Sequence, residues 1–378
     1  MVDSQIIAHY EDWWNRKNSE PLIYSIFPRD NKDFKHAIKP WMSPQLTDKW
    51  SNWQQELMLG QAVELSWKTG EYHYIEEAIK FFEAYYEMTA HNADGYSFML
   101  PGFGPGVMSA FITDFTKFNG NTIWFELEEP WTFEQLQEIS LDYRSSYTSV
   151  ALNALKELVT RLKGKFVFAM PDMSGSLDTL SSIRGAHNLL IDTLDYSDEL
   201  SDVIDKSETL WRQYFAEISL IIDPANDGLY TNVFRYLSAK PMHTSVCDFS
   251  AMISPGMFEE FVLPTIRRDA QQFDGRLVYH LDGPGEIPHV DHLCDVEKLH
   301  AIQWVPGAGN ENEASEAWFP LFKKILNGGK RICLGGCPSD PDLIRKLFKA
   351  FPKEEFFIPL TCESEAEAAE MVGEIRGF

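Results

Sequence analysis

Residues 277–285 read LVYHLDGPG: an apolar run, Leu277 to Leu281, that closes on Asp282 and a Gly-Pro-Gly turn before a helical pattern begins. A short run rich in β-branched and aromatic residues, ended by turn formers and followed by a helix, reads as a buried strand feeding a helix. The same pattern recurs at Leu22 to Phe27, Tyr96 to Leu100, Phe166 to Met170, His243 to Cys247, Ala301 to Val305, Arg331 to Leu334 and Phe356 to Leu360, giving eight runs in all. Most are followed at once by Gly, Pro or Asp, as in LPGFGPG, MPDMSGS, VPGAG and LGGCPSD. Eight strand-helix units are what a (β/α)8 TIM barrel requires, and continuous apolar strands suit a parallel sheet covered on both faces. An open doubly wound sheet is the alternative, but no GxGxxG follows the first strand, and GFGPG at Gly102 to Gly106 reads as a tight strand-to-helix turn.

A barrel of this kind needs about 250 residues, and the chain has 378. Residues 1–90 are expected to hold the first strand plus a helical elaboration. Within them 1–20 and 40–90 look helical, with Trp41, Trp50, Trp53, Leu57 and Leu59 supplying apolar contact, and 28–40 reads as a polar loop. Residues 224–241, PANDGLYTNVFRYLSAKP, read as an insert before the fourth strand, with a strand-like run at Leu229 to Phe234 that extends the sheet or covers the barrel mouth. No internal repeat of fixed period appears. The expectation is an α/β fold: a single barrel domain, 1–378, with an N-terminal helical extension.

Lys plus Arg number 33 and Asp plus Glu 57, a formal charge of −24. Such an excess repels nucleic acid and anionic membrane surfaces, so neither is expected as a partner. At 44% hydrophobic and 24% charged residues, the composition is that of a globular protein rather than a disordered one. No signal-peptide pattern follows Met1 and no run of about 18 apolar residues occurs, which points to a cytoplasmic protein. Five cysteines without a CxxC pair argue against a disulfide framework or zinc knuckle; Cys333 reads as a buried, reduced, structural thiol and Cys337 is undecided.

In a barrel, chemistry sits at the C-terminal ends of the strands. The polar residues there are Asp172, Asp248, His280, Asp282, Asp340 and the cysteines 337 and 362, with Trp304 on the sixth strand. His280 and Asp282 stand two apart on one strand and so share a face. An imidazole beside a carboxylate either ligates a divalent metal or works as a general acid/base pair. The bland alternative is a histidine satisfied by an adjacent loop, with Asp282 capping the turn at Gly283. His289, His292 and Cys294 look like a metal cluster but read as part of the following helix, with Ile287, Val290, Leu293 and Leu299 as its buried stripe and the histidines solvated or at the helix start. Asp178 and Arg184 suit an anchoring ion pair as well as they suit an acidic substrate.

Three segments carry a family resemblance: MPDMSGSLDTLSSIRGAHNLLIDTLDYSDEL (170–200), CDFSAMISPGMFEEFVLPTIRR (247–268), and LVYHLDGPG followed by LHAIQWVPGAG. The chain resembles the uroporphyrinogen decarboxylase superfamily, which includes methylcobamide:thiol methyltransferases and corrinoid-dependent demethylation enzymes; ISPxMFxxFVLP is the most specific element. The resemblance implies a (β/α)8 barrel, a homodimer, and in the methyltransferase branch a zinc site of His-x-Cys plus a distant Cys. Here His280 matches the histidine and Cys362 the distant cysteine, but Asp282 stands in place of the intervening cysteine. It implies a metal set of His280, Asp282 and Cys362 holding Zn²⁺, and a corrinoid carried by a partner protein. The decarboxylase branch fits less well, since FPRDNKDFKH offers only Arg29 for porphyrin carboxylates. Three functions follow as expectations. The first is a corrinoid-linked methyltransferase or demethylase acting on a small methylated or thiol substrate, with Asp248 and Asp172 as further catalytic carboxylates and Phe103, Phe249 and Trp304 as an apolar wall. The second is a lyase or hydrolase of a small sugar-like molecule using His280 and Asp282, and the third a non-catalytic corrinoid-binding or corrinoid-protein-binding barrel.

Overall fold

A computed structural model of the protein describes residues 2–29, 42–47, 55–118, 123–125, 127–336 and 340–378. The tryptophans at 41, 50 and 53, the cysteine at 337 and most of the expected polar loop at 28–40 lie outside them. All eight expected runs contain strands. The described strands are β1 (Leu22–Pro28), β2 (Thr89–Ala93), β3 (Phe98–Met99), β4 (Lys117–Phe118), β5 (Ile123–Trp124), β6 (Val167–Phe168), β7 (Tyr230–Thr231), β8 (Leu237–Ser238), β9 (His243–Val246), β10 (Leu277–Asp282), β11 (Ala301–Val305), β12 (Arg331–Leu334) and β13 (Phe356–Thr361). With the helices between them they make a mixed α/β fold. The chain divides into two compact units, one of Met1–Asp33, Tyr86–Ser97 and Leu229–Phe378, the other of Phe34–Tyr85 and Phe98–Gly228. Among the described residues no helix is long and apolar enough to cross a membrane.

The first unit is built on a seven-stranded sheet in the order β2-β1-β13-β12-β11-β10-β9. Every pair is parallel except β1 with β2. Register sets the faces, because partners in adjacent strands point the same way and chain neighbours point opposite ways. His280 pairs with Gln303, Gln303 with Cys333, Cys333 with Phe357, and Phe357 with Leu22, a row of side chains on one face. Leu281, Trp304 and Leu334 form the matching row on the other.

At the N-terminal ends of these strands the helix Ser4–Trp14 lays two indoles around an imidazole. His300, just before β11, lies 4.5 Å from the Trp13 ring and 4.8 Å from that of Trp14. The Arg276 guanidinium stands 5.6 Å over Trp14 and that of Arg331 stands 5.5 Å over Trp13, contacts each worth about 0.5–2 kcal/mol when desolvated. Glu11 receives Arg276 at 2.8 and 2.7 Å, and the Trp14 indole donates to the Leu237 carbonyl at 2.8 Å.

The insert departs from expectation. Its strand-like run shortens to Tyr230–Thr231, which pairs antiparallel with Leu237–Ser238 in a sheet of its own and does not extend the seven-stranded one. Asn232 ends the strand, its side-chain oxygen accepting from the Phe234 amide at 3.2 Å and its carbonyl from the Arg235 amide at 2.9 Å.

In the second unit β3 pairs with β6 in parallel. The Asn226 side chain serves as a strand partner for Phe168, accepting from its amide at 2.9 Å and donating to its carbonyl at 2.8 Å. Leu57 and Leu59 are buried on the helix Gln55–Thr69, as expected. Gly60 on that helix donates to the Gly102 carbonyl at 2.8 Å, and a Cβ there would lie 2.6 Å from the Phe103 backbone, so only glycine permits the approach. Arg184 anchors to Asp192, not the partner expected from the sequence, at 2.7 and 3.1 Å and to the Trp131 carbonyl at 3.0 Å.

Burial, then the charges of Arg331, Arg16, Arg276 and Lys330, hold His300 well below the usual imidazole value of 6.5. The unfolded chain therefore takes up a proton below that value which the folded chain refuses, so this stability is complete above pH 6.5 and lost as pH falls. His300→Phe keeps a ring between the tryptophans and removes the titration. Its urea midpoint is expected to drop less than that of the unaltered protein between about pH 7.5 and about pH 5.5; equal drops would assign the acid sensitivity elsewhere.

Candidate functional site

His280 and Asp282 share a face of β10, and β9 runs alongside before passing into a 3₁₀ turn, Asp248–Met252. The result is a cluster at the C-terminal end of the sheet: one ligand-type atom each from Asp248, His280 and Asp282, all within 4.8 Å of one another. Asp248 is exposed and the other two are half-buried. Two carboxylates this close repel, and a cation between them relieves that repulsion.

The imidazole is oriented from behind. His280 Nδ1 lies 2.6 Å from Gln303 Oε1, its register partner, so with the amide oxygen as acceptor Nδ1 donates and Nε2 keeps its lone pair. Phe234 stacks on the same ring at 5.0 Å and 21°. A metal-ligating histidine commonly has its second nitrogen tied to an acceptor in this way, which sets the tautomer and strengthens the ligand. Two ligands about 2.1 Å from a shared ion stand at most ~4.2 Å apart, so small side-chain rotations suffice to close the set. One nitrogen and two carboxylate oxygens form a hard donor set suited to Zn²⁺ and other first-row divalent ions. The residues present therefore fit a divalent metal.

The loops behind the cluster are locked together. Gly283 turns at φ +84° and donates to the Val305 carbonyl at 2.7 Å. Gly285 lies so near Ala251 that a Cβ would meet its carbonyl oxygen at 3.2 Å, and His289 Nε2 donates to the Ser250 carbonyl at 2.8 Å. The His289 ring is fully buried, stacked on Phe258 at 4.3 Å and 6°, and burial lowers its pKa. At the start of the following helix, as expected, it is buried rather than solvated and pins the segment that carries Asp248. Of the expected helical stripe, Val290 and Leu293 are buried on the helix Val290–Cys294, Leu299 is buried beyond its end, and Ile287 is only half-buried in the turn before it.

Other candidates are placed differently. Cys362 is buried just beyond β13, its amide donating to the Ile26 carbonyl at 2.9 Å, and is not among the three clustered residues. Trp304 is fully buried on the opposite sheet face from His280, with its ring 4.9 Å from that of Trp318, because it follows Gln303 by one residue. Phe249 is buried within the Asp248 turn. Asp172 and Phe103 belong to the second unit. There Asp172 accepts from the Ser174 amide at 2.9 Å in the turn before the helix Ser176–Arg184, while Phe103 is a core ring 6.3 Å from Phe111. Arg29 is exposed and donates to the Thr89 carbonyl at 3.2 Å; Asp340 caps the helix Pro341–Ala350. Cys333 is a fully buried free thiol, which burial pushes up to about 12.

Gln303 and Phe234 are the site residues that sequence reading passed over. A polar residue inside the apolar run AIQWV was the available signal for Gln303, since buried polar side chains need a partner.

No protein-family model and no curated protein sequence matches the chain. Among solved structures the fold is similar to that of a methyltransferase from Methanosarcina mazei, at TM-score 0.52 and 11% identity over 98% of both chains.

Replacing His289 by Leu takes the imidazole donor from the Ser250 carbonyl, which keeps the Ile253 amide at 3.2 Å. Urea unfolding is expected to show a loss of about 1–3 kcal/mol, with hydrogen exchange of residues 248–252 rising before that of β10. Unchanged exchange there would remove His289 from its pinning role.

Proposed function

We propose that the protein is a metal-assisted methyltransferase-like enzyme of the uroporphyrinogen decarboxylase superfamily, acting on a small methylated or thiol substrate, with a corrinoid on a partner protein as the other methyl carrier. The observation that carries the reading is the convergence of Asp248, His280 and Asp282 at the C-terminal strand ends. The closed (β/α)8 barrel over 1–378 belongs to the same proposal. It is supported by β1 lying beside β13, as the first and last strands of a barrel do, and by the fold shared with a methyltransferase. The homodimer and cytoplasmic location remain part of it as implications of the resemblance and of the sequence.

Asp248, His280 and Asp282 would hold Zn²⁺ or another divalent ion, which when bound supplies Lewis acidity. His280 offers Nε2 while Gln303 keeps its Nδ1 proton engaged, and the carboxylates balance the ion's charge. With no thiolate among the three, the set is harder than His-x-Cys plus Cys and favours polarising the leaving group of a methylated substrate over delivering a thiolate. Phe234 covers one side of the imidazole and limits water there. A second reading uses the same hydrogen bond: with Nδ1 tied to Gln303, Nε2 is set up as a general base for a metal-free lyase or hydrolase of a sugar-like molecule.

Metal analysis of the purified protein is expected to find stoichiometric divalent metal that is lost in His280→Ala, together with methylation of cob(I)alamin by the correct methylated donor. Gln303→Leu should weaken metal affinity roughly 10- to 100-fold while leaving the three ligands in place. Metal-free protein, or metal content unchanged in His280→Ala, would sink the metal reading; turnover insensitive to chelator would favour the second, and cobalamin retained without turnover a non-catalytic barrel.

A further inference from the structure

An imidazole on a strand keeps one soft rotation. The torsion between Cβ and the ring of His280 is broad, and the hydrogen bond from Nδ1 to Gln303 leaves the ring able to pivot about that contact. Phe234 closes this freedom from the other side, its ring 5.0 Å from the imidazole and 21° from parallel. Phe234 is only half-buried and meets the core through Tyr236, 6.1 Å away, so its place is set largely by its backbone.

That backbone is fixed through Asn232. The buried side chain of Asn232 accepts from the Phe234 amide at 3.2 Å, and its carbonyl accepts from the Arg235 amide at 2.9 Å. Its side-chain nitrogen donates to the Thr244 hydroxyl on β9. Thr244 is the register partner of Val278, which precedes His280 by two residues on the same face of β10. Asn232 therefore sets the turn against the strand next to the one that carries the imidazole. The far side of the turn is pinned at Arg235, whose φ is +67° and whose carbonyl accepts from the hydroxyls of Tyr96 at 3.1 Å and Tyr10 at 3.4 Å. Capping the turn needs only the side-chain oxygen of Asn232, and the reach of its nitrogen to another strand is what assigns it more.

We infer that Asn232 is a positioning residue for His280: tethered to Thr244, it sets Phe234 against the imidazole and so holds Nε2 towards Asp248 and Asp282. What the aligned Nε2 binds rests on the proposed function, a divalent ion in the first reading; the clamp on the ring does not.

Two readouts test it, one of them without metal. In chelator-treated protein carrying isotope-labelled histidine, the NMR signals of the His280 imidazole, assigned by their loss in His280→Ala, are expected as a single sharp set with Nδ1 protonated. Asn232→Ala and Phe234→Leu should each broaden or split that set, because the ring then swings. Titration with Co²⁺ should show both variants binding about tenfold more weakly, with an altered visible absorption of the bound ion. The double variant Asn232→Ala/Phe234→Leu should bind no more weakly than Phe234→Leu, since Asn232 acts through that ring. Asn232→Asp, whose carboxylate accepts from both the Phe234 amide and the Thr244 hydroxyl, should return both readouts towards those of the unaltered protein. Thr244→Val keeps the shape of β9 while removing the tether, and serves where Asn232→Ala does not fold. Imidazole signals unchanged in Asn232→Ala and Thr244→Val, or additive losses of Co²⁺ affinity in the double variant, would overturn the inference. Absence of Co²⁺ binding in the unaltered protein would count against the metal reading alone, and the imidazole signals then decide the clamp.

Discussion

In-register parallel pairing of β10 with β9 and β11 is the constraint on which the site depends. Parallel strands align their residues without the offset of a hairpin, so a side chain on one strand has a fixed neighbour on the next. His280 meets Gln303 for this reason, and Asp282, two residues on, reaches the strand end on the same face. The period of two also excludes: Trp304 follows Gln303 and must point away, into the layer where Trp318 packs. A one-residue slip would bury the imidazole and present Leu281 to the site.

The sheet is chemically polar from end to end. Arg276, His300 and Arg331 gather where the strands begin, between the tryptophans of the first helix, and the carboxylates of Asp248 and Asp282 gather where β9 and β10 end. Desolvated cations on aromatic faces are tolerable at a closed end, where Glu11 accepts from Arg276 and the Glu354 carbonyl from Arg331. Carboxylates held within 4.8 Å of each other need an open end, where a cation or solvent can reach them. The stabilising contacts and the candidate site thereby occupy opposite ends of the same strands, the division of labour expected of parallel α/β sheets.

The hairpin at 230–238 adds what the strands lack. Its strained turn carries Phe234 and Arg235 to the sheet face, and bonds from two tyrosine hydroxyls to one carbonyl hold that conformation. Backbone strain supported so heavily marks a segment whose side-chain placement matters more than its local conformational preference.

Local pattern alone was enough to place the eight main strands, the α/β class and His280 with Asp282 on one strand face, because apolar periodicity, turn residues and i, i+2 spacing act within a few residues of chain; that Asp248 rather than Cys362 stands third beside them came from the fold. It also marked Leu57, Leu59 and Cys333 as buried. Pairing between distant segments decided the rest. Gln303 behind His280, Phe234 upon it, His289 pinned to Ser250, and Trp304 turned away all follow from register and from which loop lies beside which. The same holds for the hairpin: Leu229 to Phe234 looked like one strand, and Asn232 folded it into a turn by capping its own backbone. Contacts between residues tens or hundreds of positions apart leave no period in the chain, so only the folded sheet could choose among them.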